Sequence, residues 1–206
     1  MASDIIESLL NAANSSADND TSVNAVKRTF LEDNDCAAFF ETTKANLCRI
    51  EEWNKNSSVT SYDLFDGSGR ADVSGMISES KFIRIALYGS GKYDWVRVFK
   101  IVDEPDEFVI KVKPSFDPTD GSDRSLVSHF FGPEAENNFC VQRIEKTVAF
   151  YVIGLNEKQN TKFTESLIET ARNAAIANIG YYSGLQKSVW KDFAANFLRT
   201  DEEKAA

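Results

Sequence analysis

The sequence predicts an α+β fold, in which an antiparallel sheet of about five to seven strands packs against helices from both ends of the chain. Between Tyr62 and Asn156, apolar and polar residues alternate along paired segments joined by short polar turns, as in antiparallel hairpins. Before and after this region, apolar residues recur every three or four positions, which indicates amphipathic helices.

Three helices are predicted before the sheet. The first covers residues 3–12, and a polar segment with the composition of a linker follows it. Residues 22–32 continue a helical pattern through Val23 and Val26. A third helix is predicted after Asp33, because residues recur there at spacings of four and three. Its stripe consists of Cys36, Phe40, Thr43, Leu47 and Ile50.

The most regular strand pattern is a hairpin in residues 93–114, whose two segments are rich in Val, Ile, Phe and Trp and flank a turn containing Pro105. If Val102 faces Glu107, the two-residue period of strands assigns every side chain to one of two faces. The predicted apolar face carries Trp95, Arg97, Phe99, Ile101, Phe108, Ile110 and Val112. The opposite face carries Lys100, Lys111 and Lys113.

Other segments complete the predicted sheet. A second hairpin is predicted from residues 139–144 and 147–153, and residues 81–88 predict another strand. Residues 62–65 and 73–77 are weaker candidates on either side of a Gly-rich turn. The close connections are too short for crossover helices, so the strands are expected to be antiparallel.

Two amphipathic helices are predicted at the carboxy-terminal end, in residues 163–179 and 183–198. We therefore expect an amino-terminal helix with its linker in residues 1–20. A single α+β domain follows in residues 21–200, and a frayed tail in residues 201–206.

This order of helices, strands and a closing helix resembles that of the helix-grip carriers of the START and Bet v 1 type. The predicted chain departs from that pattern in its three amino-terminal helices and its second carboxy-terminal helix. The resemblance concerns the order of elements, so it implies a fold rather than a function.

Composition restricts the partners and the compartment. A formal net charge of −9 argues against binding to nucleic acid or anionic membranes, where affinity comes chiefly from Lys and Arg. Cys36, Cys48 and Cys140 are too few for a disulfide framework and favour a reducing compartment. The sequence contains neither a signal-peptide pattern nor an apolar stretch of membrane-spanning length. We expect a cytoplasmic protein with no nucleic-acid partner and no transmembrane segment.

Motifs for cofactors and catalysis are incomplete. Residues 88–93 suggest a phosphate-binding loop, but Ala86 replaces its first glycine and Tyr93 its Ser or Thr. The acidic residues in 117–123 favour a turn over a calcium site. His129 is the only histidine, which excludes a multi-histidine metal centre, and no partner for a catalytic histidine is visible. We predict no catalytic residue, no metal and no cofactor.

Arg97 is the charged residue on the predicted apolar face, where burial is costly unless the guanidinium reaches water, a carboxylate or an anionic ligand. Two interpretations stay open. Arg97 reaches solvent or pairs with a helix carboxylate, or it anchors the head group of a small amphiphilic anion. In the second case the ligand site consists of Trp95, Arg97, Phe99, Phe108, Ile110 and Phe150.

The lack of active-site motifs favours a soluble, non-catalytic protein-interaction or assembly module that binds a protein partner or a second copy. The chain has 15 Phe, 6 Tyr and 3 Trp, more than one core readily holds, which favours an interface. The aromatic residues expected there are Trp53, Tyr181 and Tyr182. The alternatives are the amphiphile carrier anchored by Arg97 and a hydrolase that uses a pair of carboxylates.

Overall fold

The computed structural model describes residues 4–16, 20–58, 60–87, 93–121, 124, 126–160, 189–200 and 203. The strands in these residues are β1 (Ser22–Thr29), β2 (Thr60–Phe65), β3 (Phe82–Leu87), β4 (Tyr93–Asp103), β5 (Glu107–Pro114), β6 (Glu136–Ile144) and β7 (Thr147–Leu155). The helices are α1 (Ile5–Ser15), α2 (Asp33–Leu47), α3 (Ile50–Lys55) and α4 (residues 189–197). All described strands pair antiparallel in one curled sheet of order β1-β7-β6-β5-β4-β3-β2. The predicted α+β class is therefore confirmed.

The edge strand β1 takes the place of a predicted helix. The prediction for residues 22–32 is wrong, because β1 pairs with β7 along its full length. Two inner-facing residues of this strand, Asn24 and Arg28, are polar, so they obscure the apolar alternation of a strand. The three-residue spacing of Val23 and Val26 is compatible with a helix, but here it reflects one residue on each face of the sheet.

Helices α2, α3 and α4 pack on one face of the sheet, which we call the inner face. Large buried side chains from these helices include Phe40, Leu47, Trp53, Phe193 and Phe197. The sheet contributes residues such as Tyr62, Ile83, Ile110, Phe139 and Phe150. The stripe predicted for the third helix is confirmed through Leu47, and Ile50 continues it from α3.

Helix α1 packs on the opposite face, which we call the outer face. It buries Ile6, Leu9 and Ala13 against residues of β5, β6 and β7. The buried Glu107 lies at the start of this helix, where its Oε2 accepts a hydrogen bond of 3.1 Å from the backbone N–H of Ile5. A carboxylate at a helix N-terminus satisfies an unpaired N–H and interacts favourably with the helix dipole. Glu107 therefore fixes the position of α1 on the sheet.

Removing this carboxylate is expected to loosen α1. In a Glu107→Ala variant, the amide groups of Ile5 and Gln142 lose their acceptor, at a cost of about 1–3 kcal/mol. Relative to the wild type, amide hydrogen exchange should then accelerate more in residues 5–15 than in β5 and β6. Glu104→Ala is the matched control, since Glu104 is exposed in the neighbouring turn. Equal exchange in the two variants would contradict the role of Glu107.

A β-bulge interrupts β4. Val98 lies opposite Val112 and Lys100 lies opposite Lys111, so Phe99 is an extra residue in β4. Because one inserted residue reverses the two-residue period, the side chains before the bulge lie on the face opposite to the one that simple alternation predicts.

Because of the bulge, the faces predicted for the hairpin in residues 93–114 are wrong for the part of β4 that precedes Phe99. Ile101 lies on the inner face with Ile110, as expected. Before the bulge, however, Val96 and Val98 are the inner residues, and Trp95 and Arg97 lie on the outer face. The predicted common face for the whole β4 strand is therefore wrong.

Residues 73–77 form no strand, contrary to the prediction. Met76 makes an isolated bridge with Arg49, and the segment turns at Asp72, whose carboxylate accepts a hydrogen bond from the backbone of Ser74. The predicted helix in residues 163–179 lies outside the described residues, as does the start of the last helix. None of the helices in the described part of the chain is long and apolar enough to cross a membrane.

Candidate functional site

The proposed ligand residues do not lie together. Phe108, Ile110 and Phe150 belong to the inner core. Trp95 belongs to a separate outer cluster with Phe65 and Phe82.

The two remaining members of the proposed ligand site lie at or beside the bulge. Arg97 is exposed on the outer face, and Phe99 is half-buried at the bulge itself. The sheet therefore separates the guanidinium from Phe108, Ile110 and Phe150.

Of the proposed interface residues, the structure describes Trp53. Trp53 is 1% exposed and lies in the inner core, so the prediction that it forms an interface in the folded protein is wrong. The helix that contains Trp53 is only six residues long, so its sequence pattern does not indicate which side faces the sheet. Tyr181 and Tyr182 lie outside the described residues.

Aromatic rings join the sheet to its helical cover on the inner face. The centroid of Phe139 in β6 lies 4.5 Å from that of Trp53 and 5.3 Å from that of Trp190. Phe150 in β7 lies 5.2 Å from Phe197 of α4. At these separations the rings are in direct contact, so side chains occupy the space between sheet and helices at these positions.

Asp94 is a charged residue of β4 on the inner face, in the same row as Ile85 and Tyr62 of the neighbouring strands. Part of its surface reaches solvent, but its carboxyl group lies inside. Burial raises the pKa of this carboxyl to about 7, although a hydrogen bond from the Phe130 backbone lowers it. Asp94 is therefore a protonated acid over much of the acidic pH range.

Burial also shifts the pKa of His129, in the direction opposite to that of Asp94. It is 4% exposed, and burial lowers the pKa of its imidazole to about 4, so the ring is neutral near pH 7. Its Nδ1 accepts a hydrogen bond of 2.9 Å from the backbone N–H of Phe131. This contact gives His129 a structural role in the segment beside β4. Within the described residues, no group of three or more His, Cys, Asp or Glu side chains is arranged to hold a metal ion.

Cationic side chains gather on the outer face of β4 and β5. Arg97 lies directly opposite Lys113, and Lys100 directly opposite Lys111. We call these residues the basic grid. Opposite residues have Cβ atoms about 4.5–5.5 Å apart, and alternate residues of a strand are about 7 Å apart. Like charges directly opposite each other destabilise a sheet, so the grid is unfavourable unless an anion lies near it.

Two members of the grid have carboxylate partners. The Nζ of Lys100 lies 3.7 Å from the Oε1 of Glu79, and the Nζ of Lys111 lies 3.4 Å from the Oε1 of Glu136. The Glu79 carboxylate also accepts a hydrogen bond from the backbone N–H of Ile101. These contacts compensate half of the positive charge of the grid.

The other two members have neutral partners in the described part of the chain. The Nη2 of Arg97 donates a long hydrogen bond of 3.4 Å to the Oγ of Ser80. The Nζ of Lys113 lies 4.9 Å from the centroid of the Phe99 ring. The Arg97–Lys113 pair therefore presents positive charge that no described carboxylate neutralises.

Covered apolar patches border the grid along the strands. On one side lie Val102 and Val109, next to the side chains of α1. On the other side lies Trp95, next to Phe116 from the segment of residues 115–131. The grid thus occupies the band of the outer face between α1 and this segment.

Residues 117–119 form a turn that lies close to the loop after β2. Asp117 accepts hydrogen bonds from the backbone N–H and the hydroxyl of Thr119, which confirms the predicted turn. Gly69 has a φ of +79°, and a Cβ at this position would overlap the carbonyl oxygen of Pro118. A side chain at Gly69 would therefore separate the two loops.

Gly69→Ala is expected to destabilise the protein by at least about 2 kcal/mol, because it combines an unfavourable backbone conformation with an overlap against backbone. Thermal or urea unfolding measures the effect. Gly67→Ala is the control, since a Cβ there would lie 4.0 Å from Phe82 and the change should be within about 0.5 kcal/mol. If both variants unfold like the wild type, the loops are not in close contact.

The comparison with solved structures finds several that are similar to this chain. The hypothetical protein jhp0584 from Helicobacter pylori matches with a TM-score of 0.56 and 9% identity, covering 92% of this chain and 94% of that one. A protein from Nitrosospira multiformis matches with a TM-score of 0.45 and 14% identity, covering 88% and 97%. A protein from Arthrobacter aurescens matches with 0.43 and 9% identity, covering 87% of each chain.

Sequence comparison gives no family for the chain. No protein-family model matches it, and no curated protein matches it. At 9% identity, the likeness to the Helicobacter pylori protein concerns the fold alone. The functional conclusion therefore depends on the residues of this chain.

The sequence contained a signal for most of the basic grid. Alternation in residues 93–114 placed Lys100, Lys111 and Lys113 on one face, which agrees with the structure. Arg97 was assigned to the other face because the bulge at Phe99 has no distinctive residue such as glycine to mark it.

Proposed function

We propose that this chain is a non-catalytic protein-interaction module that binds a partner through its surface. The observation that carries the proposal is the aromatic packing of the inner face, where Phe139 and Phe150 directly contact rings from the helices. A carrier needs a cavity of about 300–1,000 Å³ for a drug-sized ligand. Contacting rings leave no such space at these positions, which favours a function at the surface.

The displacement of Arg97 also supports an interaction module over a carrier of amphiphilic anions. The guanidinium is exposed on the outer face, whereas Phe108, Ile110 and Phe150 face the inner core. A head group bound to Arg97 and a tail held by these residues would lie on opposite sides of the sheet. The six residues therefore do not form one amphiphile site.

The surroundings of Asp94 favour a non-catalytic function over a carboxylate-based hydrolase. A glycosidase-like mechanism uses two carboxyl groups that flank the scissile bond. The described contact of the Asp94 carboxyl is the backbone of Phe130, and no hydrogen bond or ion pair within the described residues connects it to a second carboxyl. The raised pKa of Asp94 follows from burial alone.

Among the described surfaces, the edge of β2 is unsuited to strand addition at its centre. The side chain of Asn54 donates to the backbone oxygen of Tyr62 at 2.8 Å and accepts from its N–H at 2.8 Å. These bonds occupy the groups that an added strand would need. A partner is therefore expected on a face of the molecule rather than at this edge.

Photo-crosslinking in the cells that make the protein tests the proposal. Benzoylphenylalanine is placed singly at exposed positions on three surfaces, namely Lys100 on the outer face, Glu41 on α2 and Lys191 on α4. An adduct of one defined protein mass at one surface, absent at the others and without irradiation, is the expected result. If all three positions remain free of protein adducts while native mass spectrometry detects a bound small molecule, the proposal is wrong.

A further inference from the structure

We infer that the basic grid of Arg97, Lys100, Lys111 and Lys113 binds an extended acidic segment of a partner protein. This inference rests on the proposed interaction function and specifies the surface and the partner chemistry.

The first support is an uncompensated charge on an acidic molecule. The chain has a net charge of −9, with 32 Asp and Glu against 23 Lys and Arg, yet two like-charge pairs lie side by side on the outer face. Directly opposite cations lower sheet stability. Glu79 and Glu136 approach one pair, whereas Arg97 and Lys113 have no carboxylate partner in the described part of the chain. An anionic partner would complete the second pair.

The second support is the spacing of the cations. Lys111 and Lys113 are alternate residues of β5, and alternate side chains of a strand are about 7 Å apart. An extended peptide with carboxylates at every second residue has the same period. Such a peptide along β5 would place one carboxylate near each cross-strand pair of cations. An isolated phosphate group is too small to span both pairs.

The third support is the shape and charge of the surroundings. The grid lies between α1 on one side and the 115–131 segment on the other, so the space for a partner along the strands is bounded at both ends. The excess negative charge of the rest of the chain repels long polyanions and anionic membranes at a distance. A short acidic segment can lie beside Arg97 and Lys113, the two cations of the grid that have no described carboxylate partner. These features favour a peptide over nucleic acid or a lipid surface.

Fluorescence anisotropy with two labelled peptides of equal composition tests the inference. One peptide alternates Glu and Ser, and the other carries the same residues as one Glu block followed by one Ser block. The full chain is expected to bind the alternating peptide at least threefold more tightly than the block peptide. Its affinity should fall as salt is raised, because charge pairing drives the binding.

Variants identify the surface. Arg97→Glu/Lys113→Glu is expected to weaken binding of the alternating peptide at least tenfold, and Arg97→Gln/Lys113→Gln at least threefold. Lys27→Glu/Lys191→Glu is the matched control, because it changes the net charge equally at exposed residues outside the grid. It should stay within about twofold of the wild type after the general effect of net charge is allowed for. Thermal unfolding checks that each variant is folded. If the Arg97→Glu/Lys113→Glu variant does not fold, the Arg97→Gln/Lys113→Gln variant provides the test.

Three results would overturn the inference: equal losses in the grid and control variants, equal affinity for the two peptides, or grid-dependent binding of phosphatidylserine vesicles or single-stranded RNA without peptide binding. Failure of the peptide assay is distinct from failure of the proposed function. Protein adducts at Glu41 or Lys191 with no peptide binding would reject the acidic partner and keep the interaction module. Absence of adducts at every position, together with a bound small molecule in native mass spectrometry, would reject both.

Discussion

Replacing Phe139 with alanine is expected to lower the free energy of unfolding by about 3–5 kcal/mol. Phe139 is 1% exposed at the centre of the inner face. Its ring contacts Trp53 of α3 and both Trp190 and Phe193 of α4, so its removal leaves a gap beside three aromatic side chains. Helices on both sides limit how far the structure can collapse into the gap. Urea unfolding followed by tryptophan fluorescence measures the loss.

The matched control for this prediction is Ile144→Ala in the same strand. Ile144 is 53% exposed, so truncation should change stability by no more than about 0.5 kcal/mol. The Phe139→Ala variant should also bind benzene, which the wild type should not bind, because the deleted ring leaves a small apolar cavity. If the wild-type protein already binds benzene and the variant loses little stability, the inner face is not filled as described.

Asp94→Asn is expected to stabilise the protein by roughly 2–4 kcal/mol above pH 7 and to have little effect at pH 4. Burial raises the pKa of this carboxyl to about 7 in the folded protein. In the unfolded chain the carboxyl ionises near pH 4, so folding above that pH requires it to take up a proton or to bury a charge. The stability of the wild type therefore decreases as pH rises from about 4 to about 7. Asparagine removes this cost and still accepts the hydrogen bond from Phe130.

His129 imposes the opposite pH dependence. Burial lowers the pKa of its imidazole to about 4, whereas an unfolded histidine is protonated below about pH 6.5. Stability from this residue is present above pH 6.5 and is lost as pH falls toward 4. The slopes of Asp94 and His129 therefore oppose each other over that interval. In Asp94→Asn the histidine slope is no longer opposed by Asp94, so stability should rise between pH 4 and 6.5, with a contribution from His129 of up to about 1.4 kcal/mol per pH unit.

Urea unfolding of the wild type and Asp94→Asn at half-unit steps from pH 4 to pH 8 measures both effects. Asp63→Asn is the control, because Asp63 is exposed on the outer face, where it pairs with Arg84. Its profile should run parallel to that of the wild type. Identical slopes for Asp94→Asn and the wild type would mean that the Asp94 carboxyl titrates at its ordinary pKa.

Local patterns were sufficient to predict the hairpins of the sheet. The β4–β5 and β6–β7 pairs have regular alternation and short turns. Most of the observed strand ends lie within two residues of the predicted ends. These signals are local, so one sequence contains them in full. The strand β1 was missed because its inner face carries the polar residues Asn24 and Arg28, which break the apolar alternation. What makes this segment a strand is its pairing with β7, more than 100 residues away in the chain.

The position of α1 also depended on a distant contact. The sequence predicted the helix itself from Ile5, Ile6, Leu9 and Leu10. Its place on the outer face is fixed by Glu107, which lies 102 residues along the chain from Ile5. An acidic residue at the start of a strand gives no sign of such a role, because the same residue type commonly lies in solvent there.

The basic grid could be predicted in part. Period-two spacing placed its three lysines on one face, but the same rule assigned Arg97 to the wrong side. A bulge at Phe99 changes the face of every residue of β4 before it, and no residue type at this position marks the bulge in the sequence. The filled inner face required knowledge of where α3 and α4 dock, which no local pattern provides.

Native mass spectrometry of the full chain, extracted gently from the cells that make it, is the most direct test of a surface function over a carrier function. If the inner face is filled, the measured mass should be that of the polypeptide without a small molecule. The polypeptide can be present as one copy, as several copies or in complex with another protein. A stoichiometric lipid-like mass that survives extraction and is released on unfolding would contradict it.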